Sequence, residues 1–367
     1  MLSPKKQIKN APIRIALVGC GRISKNHISA LLNLQDRCQL VALCDSDGEK
    51  INEIIRYLET LYLEKKLKKT SPLIFNDYKD LLLKGNKIID LVILATPSGL
   101  HSQQTILAAQ KGIHICTEKP MATRWDDGIK MIKECDLAGV HLFVVKQNRF
   151  NKTLQLLKRQ LDAGRFGKLI MVTVNVFWQR PQQYYDQDKW RGTWEFDGGA
   201  LMNQASHYID LLDWLIGPVE TISASTTTLG RNIEVEDTAA IQLKWRNGAL
   251  GTMAVTMLTF PKNLEGSITI LGEKGTVKIG GKAVNKIEHW EFADEAEDDK
   301  KIKEINYEPA NIYGNGHTPY FSNIFDALEG KDEAICDGRQ GIRSLELIIG
   351  AYRSAQTREV ISLPLNS

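Results

Sequence analysis

The sequence IRIALVGCGRIS, residues 13–24, decides the fold of the N-terminal half of the chain. Its first six residues are an almost uninterrupted apolar run of strand length, and a pattern of helical period follows its two glycines. Apolar strands that lead into helices are typical of parallel sheets covered on both faces. Gly19 permits a tight turn, and Gly21 lets backbone N–H groups approach a pyrophosphate at the start of a helix. Ser24 stands where this fingerprint usually has a third Gly or Ala.

The same alternation continues to about residue 148. Further apolar strands are predicted at 40–44, 91–95, 114–116 and 142–145. Helices are predicted at 23–34, 48–67, 103–111 and 125–137. This order predicts a doubly wound α/β domain of the Rossmann type over residues 1–148.

After residue 151 the pattern changes to strands of period two or of β-branched residues, separated by turns such as Asn247-Gly248. These strands are predicted at 169–177, 221–228, 238–245, 249–257, 267–271 and 276–279. Helices are predicted at 152–163, 207–216, 320–328 and 344–357. The pattern predicts an α+β domain with an open, mostly antiparallel sheet over residues 149–367. One face of such a sheet is available to a partner, so we expect a homo-oligomer.

Composition excludes several classes of protein. The 367 residues are 43% hydrophobic and 25% charged, which indicates a globular chain rather than a disordered one. The 47 basic and 44 acidic residues nearly balance and form no basic stripe, so a nucleic-acid partner is not expected. No apolar run reaches the length of a membrane span, and no signal peptide is recognised. The six cysteines and seven histidines show no metal-binding spacing, and scattered thiols suit a reduced cytoplasm.

Acidic and polar residues at strand ends complete a predicted cofactor site. Asp45 ends the second strand 24 residues after Gly21, where a carboxylate accepts hydrogen bonds from ribose hydroxyls and repels a 2′-phosphate. NAD is therefore favoured over NADP, a preference that Arg22 and Ser46 could soften. Considered without the surrounding motifs, His101 could be a surface histidine, and Lys119 could be a solvated residue of a turn. The predicted cofactor-binding residues are Gly19, Gly21, Arg22, Ile23, Asp45, Ser46, Thr96, Pro97, His101, Glu118 and Lys119.

These motifs resemble those of the Gfo/Idh/MocA oxidoreductase family, along nearly the whole chain. The matching features are Gly19-x-Gly21, Thr96-Pro97 with His101, Glu118-Lys119-Pro120, and the segment 198–210, GGALMNQASHYID. The resemblance implies NAD(P)-dependent oxidation or reduction of a sugar or polyol. It also implies that the N-terminal domain binds the cofactor, that the C-terminal domain binds the sugar, and that the chain forms dimers or tetramers.

The chain departs from many family members at Asn203, where they carry Asp. Asn cannot act as a base, whereas histidine accepts a proton at neutral pH. The predicted catalytic residues are therefore His207 as base, Lys119 as electrostatic partner and proton relay, and Asn203 as a positioning hydrogen-bonder four residues before His207. The alternative is that His207 is a buried histidine paired with Asp210.

A closer resemblance is to one branch of the family, the UDP-N-acetylglucosaminuronic acid (UDP-GlcNAcA) 3-dehydrogenases of bacterial surface-polysaccharide synthesis. It rests on the sequences VKQNRF at 145–150, WQRP at 178–181, YY at 184–185, and residues 199–217. The branch implies NAD-dependent oxidation of the C3′ hydroxyl in lipopolysaccharide or O-antigen synthesis, in a tetramer more than a dimer. In some of these enzymes NADH stays bound and 2-oxoglutarate re-oxidises it.

An anionic nucleotide sugar requires cationic partners, and we expect Lys146 and Arg180 to supply them. The predicted substrate-binding residues are Lys146, Asn148, Arg180, Asn203, His207 and Tyr313, with His317 a weaker candidate in the same loop as Tyr313. Two alternatives remain open: a dehydrogenase of a free sugar or inositol, and a non-catalytic NAD-binding redox regulator.

Overall fold

A computed structural model describes residues 5–9, 12–85, 87–308 and 314–365. The chain forms two compact units. The first contains the described residues up to Val145 together with His317–Ile342, and the second contains Lys146–Gly316 and the described residues from Arg343 onward. The first division lies close to the predicted boundary at 148. Residues 317–342 belong to the first unit although they follow the second unit in the sequence. This was not predicted, because a helical pattern does not show which sheet the helix will cover.

The described residues contain the following strands and helices. The strands are β1 (Ile13–Val18), β2 (Cys38–Cys44), β3 (Leu73–Phe75), β4 (Leu91–Leu94), β5 (His114–Thr117), β6 (Leu142–Val144), β7 (Leu169–Phe177), β8 (Val219–Thr227), β9 (Thr238–Trp245), β10 (Leu250–Thr256), β11 (Glu265–Gly272), β12 (Gly275–Gly280), β13 (Lys286–Phe292) and β14 (Ile361–Ser362). The α-helices are α1 (Ser24–Leu32), α2 (Gly48–Glu64), α3 (Tyr78–Gly85), α4 (His101–Ala109), α5 (Trp125–Leu137), α6 (Lys152–Asp162), α7 (Gln182–Asp186), α8 (Ser206–Leu211), α9 (Ile302–Ile305), α10 (His317–Leu328) and α11 (Gly338–Thr357).

The first unit is a parallel six-stranded sheet in the order β3-β2-β1-β4-β5-β6. Every residue of β4 is buried, which explains its continuous apolar sequence. The doubly wound prediction is confirmed. Strand β3 and helix α3 were missed, since a three-residue edge strand with exposed positions carries too little pattern to be recognised.

The second unit is an eight-stranded sheet in the order β13-β12-β11-β7-β10-β9-β8-β14. Strands β7 and β10 are parallel and the other neighbours are antiparallel, so the predicted open, mostly antiparallel sheet is confirmed. Strand β9 alternates between buried and exposed residues, as expected of a sheet with one packed face. Strands β13 and β14 were missed, because β13 is rich in charged residues and β14 has only two residues.

The segment predicted as one helix at 207–216 is more irregular than expected. A π-helical turn at Ala200–Gln204 precedes α8, and a second π-helical turn at Leu212–Ile216 follows it. Short π-helical turns occur often at functional sites because they change which side chains face a ligand. The candidate base, His207, lies between the two turns.

Two further expectations concern the whole chain. All six cysteines are buried and form no disulfide, as the scattered positions of these residues in the sequence indicated. Within the described ranges, every helix is either too short or too polar to cross a membrane.

Candidate active site

The glycine turn after β1 has the geometry that a dinucleotide requires. Gly19 has a φ of +93°, and a Cβ there would lie 2.5 Å from the carbonyl oxygen of Ala95, so a side chain is excluded. A Cβ on Gly21 would meet no atom within 4 Å. Gly21 therefore borders open space at the start of α1, the position at which a pyrophosphate meets helix N–H groups.

Ser24 closes the same turn. Its side chain is fully buried, and its hydroxyl donates a hydrogen bond to the carbonyl oxygen of Gly21. The Ser24 N–H also donates to that oxygen, at 3.1 Å. A serine in the third fingerprint position therefore supports the turn.

Asp45, which follows β2, is attached to the glycine turn. Its Oδ2 accepts the Cys20 N–H at 2.7 Å, and its Oδ1 accepts the Asp47 N–H at 2.9 Å. A carboxylate has about four lone-pair sites, so acceptor capacity remains for ribose hydroxyls. The residue predicted to recognise the ribose is thus oriented by the loop predicted to bind the pyrophosphate.

His101, predicted to contact the cofactor, is fully buried in the first turn of α4. Its Nδ1 lies 3.0 Å from the carbonyl oxygen of Pro120, and its Nε2 lies 2.9 Å from that of Thr96. Burial lowers the pKa of His101, which favours the neutral ring. Both ring nitrogens thus face backbone carbonyls, and because a neutral ring has one N–H, one of the two contacts is a donated hydrogen bond. The contact of His101 with the cofactor stays a prediction.

Glu118 and Lys119 lie beside a buried histidine that sequence analysis missed. Glu118 Oε1 is 2.9 Å from His27 Nε2, and Glu118 Oε2 accepts the Lys119 N–H at 3.1 Å. Burial alone would raise the pKa of Glu118, but the hydrogen bond from His27 and the nearby positive charges lower it to about 2. His27 lies on the buried stripe of α1 with Ile28 and Leu31, and that spacing could have predicted its burial.

His317, the weaker candidate for substrate binding, lies beside His27 and Glu118. Its ring lies edge-on to His27 at 5.6 Å, and burial lowers its pKa to about 3. His27, Glu118 and His317 each place a potential metal-ligand atom within 4.8 Å of the others, although no metal site was predicted. Because Glu118 already accepts hydrogen bonds from His27 and Lys119, we interpret the group as a support for the Lys119 backbone.

In the second unit, His207 and Asn203 lie on the irregular helix. Both side chains are half-buried. Asn203 Nδ2 donates to Asp197 Oδ1, and Asp197 Oδ2 accepts the Gly192 N–H at 2.7 Å. His207 Nε2 lies 3.3 Å from the amide nitrogen of Gln147. Asp210, the partner named in the alternative reading of His207, binds Arg149.

Lys146 is buried in the second unit. Its side chain is 3% exposed, and its ammonium donates to Ser344 Oγ at 2.7 Å and lies 3.5 Å from Asp210 Oδ1. Arg149, also buried, binds the same carboxylate. One carboxylate thus lies beside two cations, and the role of Lys146 toward an anionic substrate stays a prediction. The sequence could not reveal a pairing between residues 64 positions apart.

Arg180, the second residue predicted to bind an anionic group of the substrate, has uncharged hydrogen-bond acceptors beside it. Its Nε donates to Gln204 Oε1 at 2.9 Å and its Nη1 to the Gln179 carbonyl at 2.8 Å, both neutral acceptors. The guanidinium also lies 5.1 Å from the Trp178 ring and 5.6 Å from the Tyr184 ring. These polar and aromatic contacts orient the guanidinium, whose planar donors match the oxygens of a carboxylate or phosphate.

A buried carboxyl supports the start of the irregular helix. Glu236 Oε1 accepts the Leu201 N–H and the Tyr352 hydroxyl, both at 2.9 Å. Burial raises the pKa of Glu236 to about 7. A Cβ on Gly199 would lie 1.6 Å from Glu236 Oε2, so this contact requires a glycine at position 199. Sequence analysis had assigned Glu236 no role.

The remaining predicted residues are placed as follows. Asn148, in the 3₁₀ turn Gln147–Phe150, is half-buried. Ile23, which directly precedes α1, is also half-buried. Arg22 and Ser46 are exposed, and Thr96 donates its hydroxyl to Gln104 at 2.6 Å, beside Pro97. Tyr313 lies outside the described residues.

Two family models match the chain. Residues 13–146 match the oxidoreductase family's NAD-binding Rossmann fold, and residues 158–363 match that family's C-terminal alpha/beta domain, both of the Gfo/Idh/MocA type. A curated relative, D-apiose dehydrogenase from Paraburkholderia graminis, is 26% identical over 275 residues, which are 72% of this chain and 66% of that protein.

Two solved structures are much more similar. The WlbA dehydrogenase from Bordetella pertussis, in complex with NADH and UDP-GlcNAcA, is 55% identical, with a TM-score of 0.90 over 98% of this chain and 100% of that one. The WlbA dehydrogenase from Chromobacterium violaceum, with the same two ligands, is 53% identical, with a TM-score of 0.88 over 99% of each chain. The predicted cofactor, NAD, is confirmed, and the open space at Gly21 and the oriented Asp45 carboxylate fit it.

Proposed function

The chain belongs to the Gfo/Idh/MocA oxidoreductase family, and from that premise we propose that it is an NAD-dependent nucleotide-sugar dehydrogenase. The proposed substrate is UDP-GlcNAcA, and the proposed product is its 3-keto sugar. The observation that carries this proposal is the similarity, above half identity and over almost the full length, to two dehydrogenases crystallised with NADH and UDP-GlcNAcA.

The proposed reaction removes a proton from the C3′ hydroxyl oxygen and a hydride from C3′, leaving a carbonyl. Bound NAD supplies the acceptor for the hydride. His207 accepts the hydroxyl proton, since a neutral imidazole is an effective base near pH 7. Lys119 places a positive charge near the alkoxide as it develops. Asn203, anchored by Asp197, orients the substrate through its amide.

Arg180 is the proposed partner of an anionic group on the substrate. A guanidinium matches the two oxygens of a carboxylate or phosphate, and the substrate carries both kinds of group. The contacts of Arg180 with Gln204, Trp178 and Tyr184 support this role because they orient the side chain in advance. Asn148 and Tyr313 remain proposed substrate contacts.

The first experiment is anaerobic absorbance spectroscopy of purified protein at the NADH band. Adding UDP-GlcNAcA should raise the absorbance, and adding 2-oxoglutarate afterwards should lower it if the cofactor is recycled while bound. A rise without a subsequent fall keeps the substrate and requires exchange of free NAD. If NAD-loaded protein gives no change, the nucleotide-sugar proposal is wrong, and free sugars such as the substrate named for the D-apiose relative come next.

The assignment of His207 is tested by substitution. His207→Ala should lower kcat by about a hundredfold or more, the usual effect of losing a general base. The matched control is His289→Ala, since His289 is exposed on β13. NADH binding should be unchanged in both variants. Near-normal turnover by His207→Ala would assign the base elsewhere, and wild-type protein that is inactive on both UDP-GlcNAcA and free sugars would favour a non-catalytic NAD-binding regulator.

Three further proposals accompany the activity. We propose a homo-oligomer, a tetramer more than a dimer, assembled through the exposed face of the second sheet, where the paired residues Met171 and Leu250 are 36% and 52% exposed. Light scattering of wild-type protein and of a Met171→Lys variant tests this, and identical masses would exclude that face. A cytoplasmic location and a place in lipopolysaccharide or O-antigen synthesis are proposed with the substrate.

A further inference from the structure

The 3₁₀ turn Gln147–Phe150 is attached to helix α8 at two points, both within the second unit. Arg149 binds Asp210 through two hydrogen bonds of 2.8 Å. Asp210 lies one helical turn after His207, so this ion pair sets the register between the turn and the helix. At that register the Gln147 amide nitrogen lies 3.3 Å from His207 Nε2.

Gln147 is almost fully enclosed, with 2% of its surface exposed. Gly316 packs against its backbone so closely that a Cβ there would lie 2.0 Å from the Gln147 carbonyl oxygen. The side chain therefore has little freedom to leave His207. Its other amide atom, Oε1, is buried and has no hydrogen-bond partner among the described residues.

We propose that Gln147 is a positioning residue that stabilises both protonation states of the His207 imidazole through the two ends of its amide. The inference deepens the proposed function, since it concerns the residue assigned there as the base. It does not depend on which sugar is oxidised.

The chemistry of the amide explains how one side chain can serve both states. In the observed orientation the Gln147 N–H group donates to His207 Nε2, which requires a lone pair on Nε2 and places the ring proton on Nδ1. A separation of 3.3 Å is a weak hydrogen bond that a substrate hydroxyl can displace. The observed contact therefore selects the tautomer whose Nε2 can act as base.

Once Nε2 has taken the substrate proton, it becomes a donor and faces the amide. A half-turn of the carboxamide brings Oε1 to the imidazolium N–H, where a charge-assisted hydrogen bond forms. Since Oε1 has no partner among the described residues, the half-turn breaks no hydrogen bond at that atom. The charged groups close to this pair in the second unit are Asp210, Arg149 and Lys146.

Two variants separate positioning from packing. Gln147→Glu keeps the shape but offers acceptors alone, so it should favour the imidazolium and raise the pKa of His207 by about one unit or more. Gln147→Met keeps the volume and removes the hydrogen bond. The matched control is Gln356→Glu, which adds the same charge at an exposed position of α11.

The readout is the pH dependence of diethyl pyrocarbonate modification at His207, followed by mass spectrometry of the peptide, because this reagent attacks the neutral imidazole. Gln147→Glu should shift the midpoint upward, and at pH values well below both midpoints it should slow modification by about tenfold, as one pKa unit requires. In the pH profile of kcat, the midpoint on the acidic side should also move to higher pH. Gln147→Met should lower kcat by about tenfold or more with little change in KM.

A midpoint in Gln147→Glu that matches wild type and Gln356→Glu would overturn the proposal. If Gln147→Glu does not fold, Gln147→Met decides, and an unchanged kcat would overturn it. Modification needs no substrate, so the Gln147 proposal stays testable if UDP-GlcNAcA is not turned over. If the protein does not oxidise UDP-GlcNAcA but the midpoint is still shifted in Gln147→Glu, the positioning role of Gln147 is supported and the proposed substrate is rejected.

Discussion

Arg149 donates two hydrogen bonds of 2.8 Å to the two carboxylate oxygens of Asp210, and both side chains are buried. The Lys146 ammonium lies 3.5 Å from the same carboxylate. One acidic residue thus lies beside two buried cations, one helical turn from His207. The pair therefore contributes both to the stability of the second unit and to the position of the candidate base.

Asp210→Asn should destabilise the protein by about 3–5 kcal/mol, because it leaves two buried positive charges without their counter-charge. Urea unfolding measures this loss. Asp80→Asn is the control, since Asp80 pairs with Lys84 at the surface and its loss should cost about 0.5 kcal/mol or less. Equal effects of the two substitutions would contradict the role of the buried pair.

The Asp210 carboxyl should also make the stability of the folded protein depend on pH in the acid range. Although burial would raise it, the Arg149 and Lys146 charges lower the pKa of Asp210 to about 2, from an ordinary value of 3.8. Its stabilising contribution is therefore complete above pH 3.8 and lost as the pH falls toward 2. Asp210→Asn should lack this part of the acid dependence.

Glu236 should give the opposite pH dependence. Burial raises its pKa from 4.5 to about 7, so the folded protein favours the protonated carboxyl. Stability should be greatest below pH 4.5 and should fall as the pH rises through 7, by about 3 kcal/mol for this group. Glu236→Gln, which is neutral at every pH, should remove that slope in urea unfolding. The exposed Glu220→Gln should keep it, and parallel curves for wild type and Glu236→Gln would disprove the assignment.

Asp45→Ala should weaken NAD binding by about tenfold and reduce the preference for NAD over NADP. It removes both the acceptor for the ribose hydroxyls and the hydrogen bond that orients the Cys20 N–H. Fluorescence titration with both cofactors measures the two effects. Asp47→Ala is the matched control, because Asp47 caps α2 and should affect stability by about 1 kcal/mol without changing cofactor preference. An unchanged NAD preference in Asp45→Ala would mean that another residue recognises the ribose.

Arg180→Gln should raise KM for a nucleotide-sugar acid by about tenfold to a hundredfold, as expected for a charge-assisted hydrogen bond, and should leave kcat largely unchanged. Initial-rate kinetics separate the two constants. Arg353→Gln, on an exposed position of α11, is the control. A fall in kcat at constant KM would place Arg180 in the chemical step, and no change in either constant would exclude it from the site.

The sequence by itself determined the elements whose information is local. The apolar run at 13–18 and the two glycines after it specify a strand and a tight turn. The period of two in β9 likewise predicts a half-exposed strand. Each of these features depends on neighbours a few residues away, so the pattern alone is sufficient.

Only the tertiary structure decided which polar residues meet. His27, Glu118 and His317 come together from three distant segments, and Gln147 reaches His207 across 60 positions. Lys146 contacts Asp210, a partner that the sequence pattern did not indicate. A charged or polar side chain has no periodic signature, and its partner is chosen by burial and distance once the chain has folded. For that reason the sequence indicated the residue types available for chemistry, and the fold determined which of them lie together.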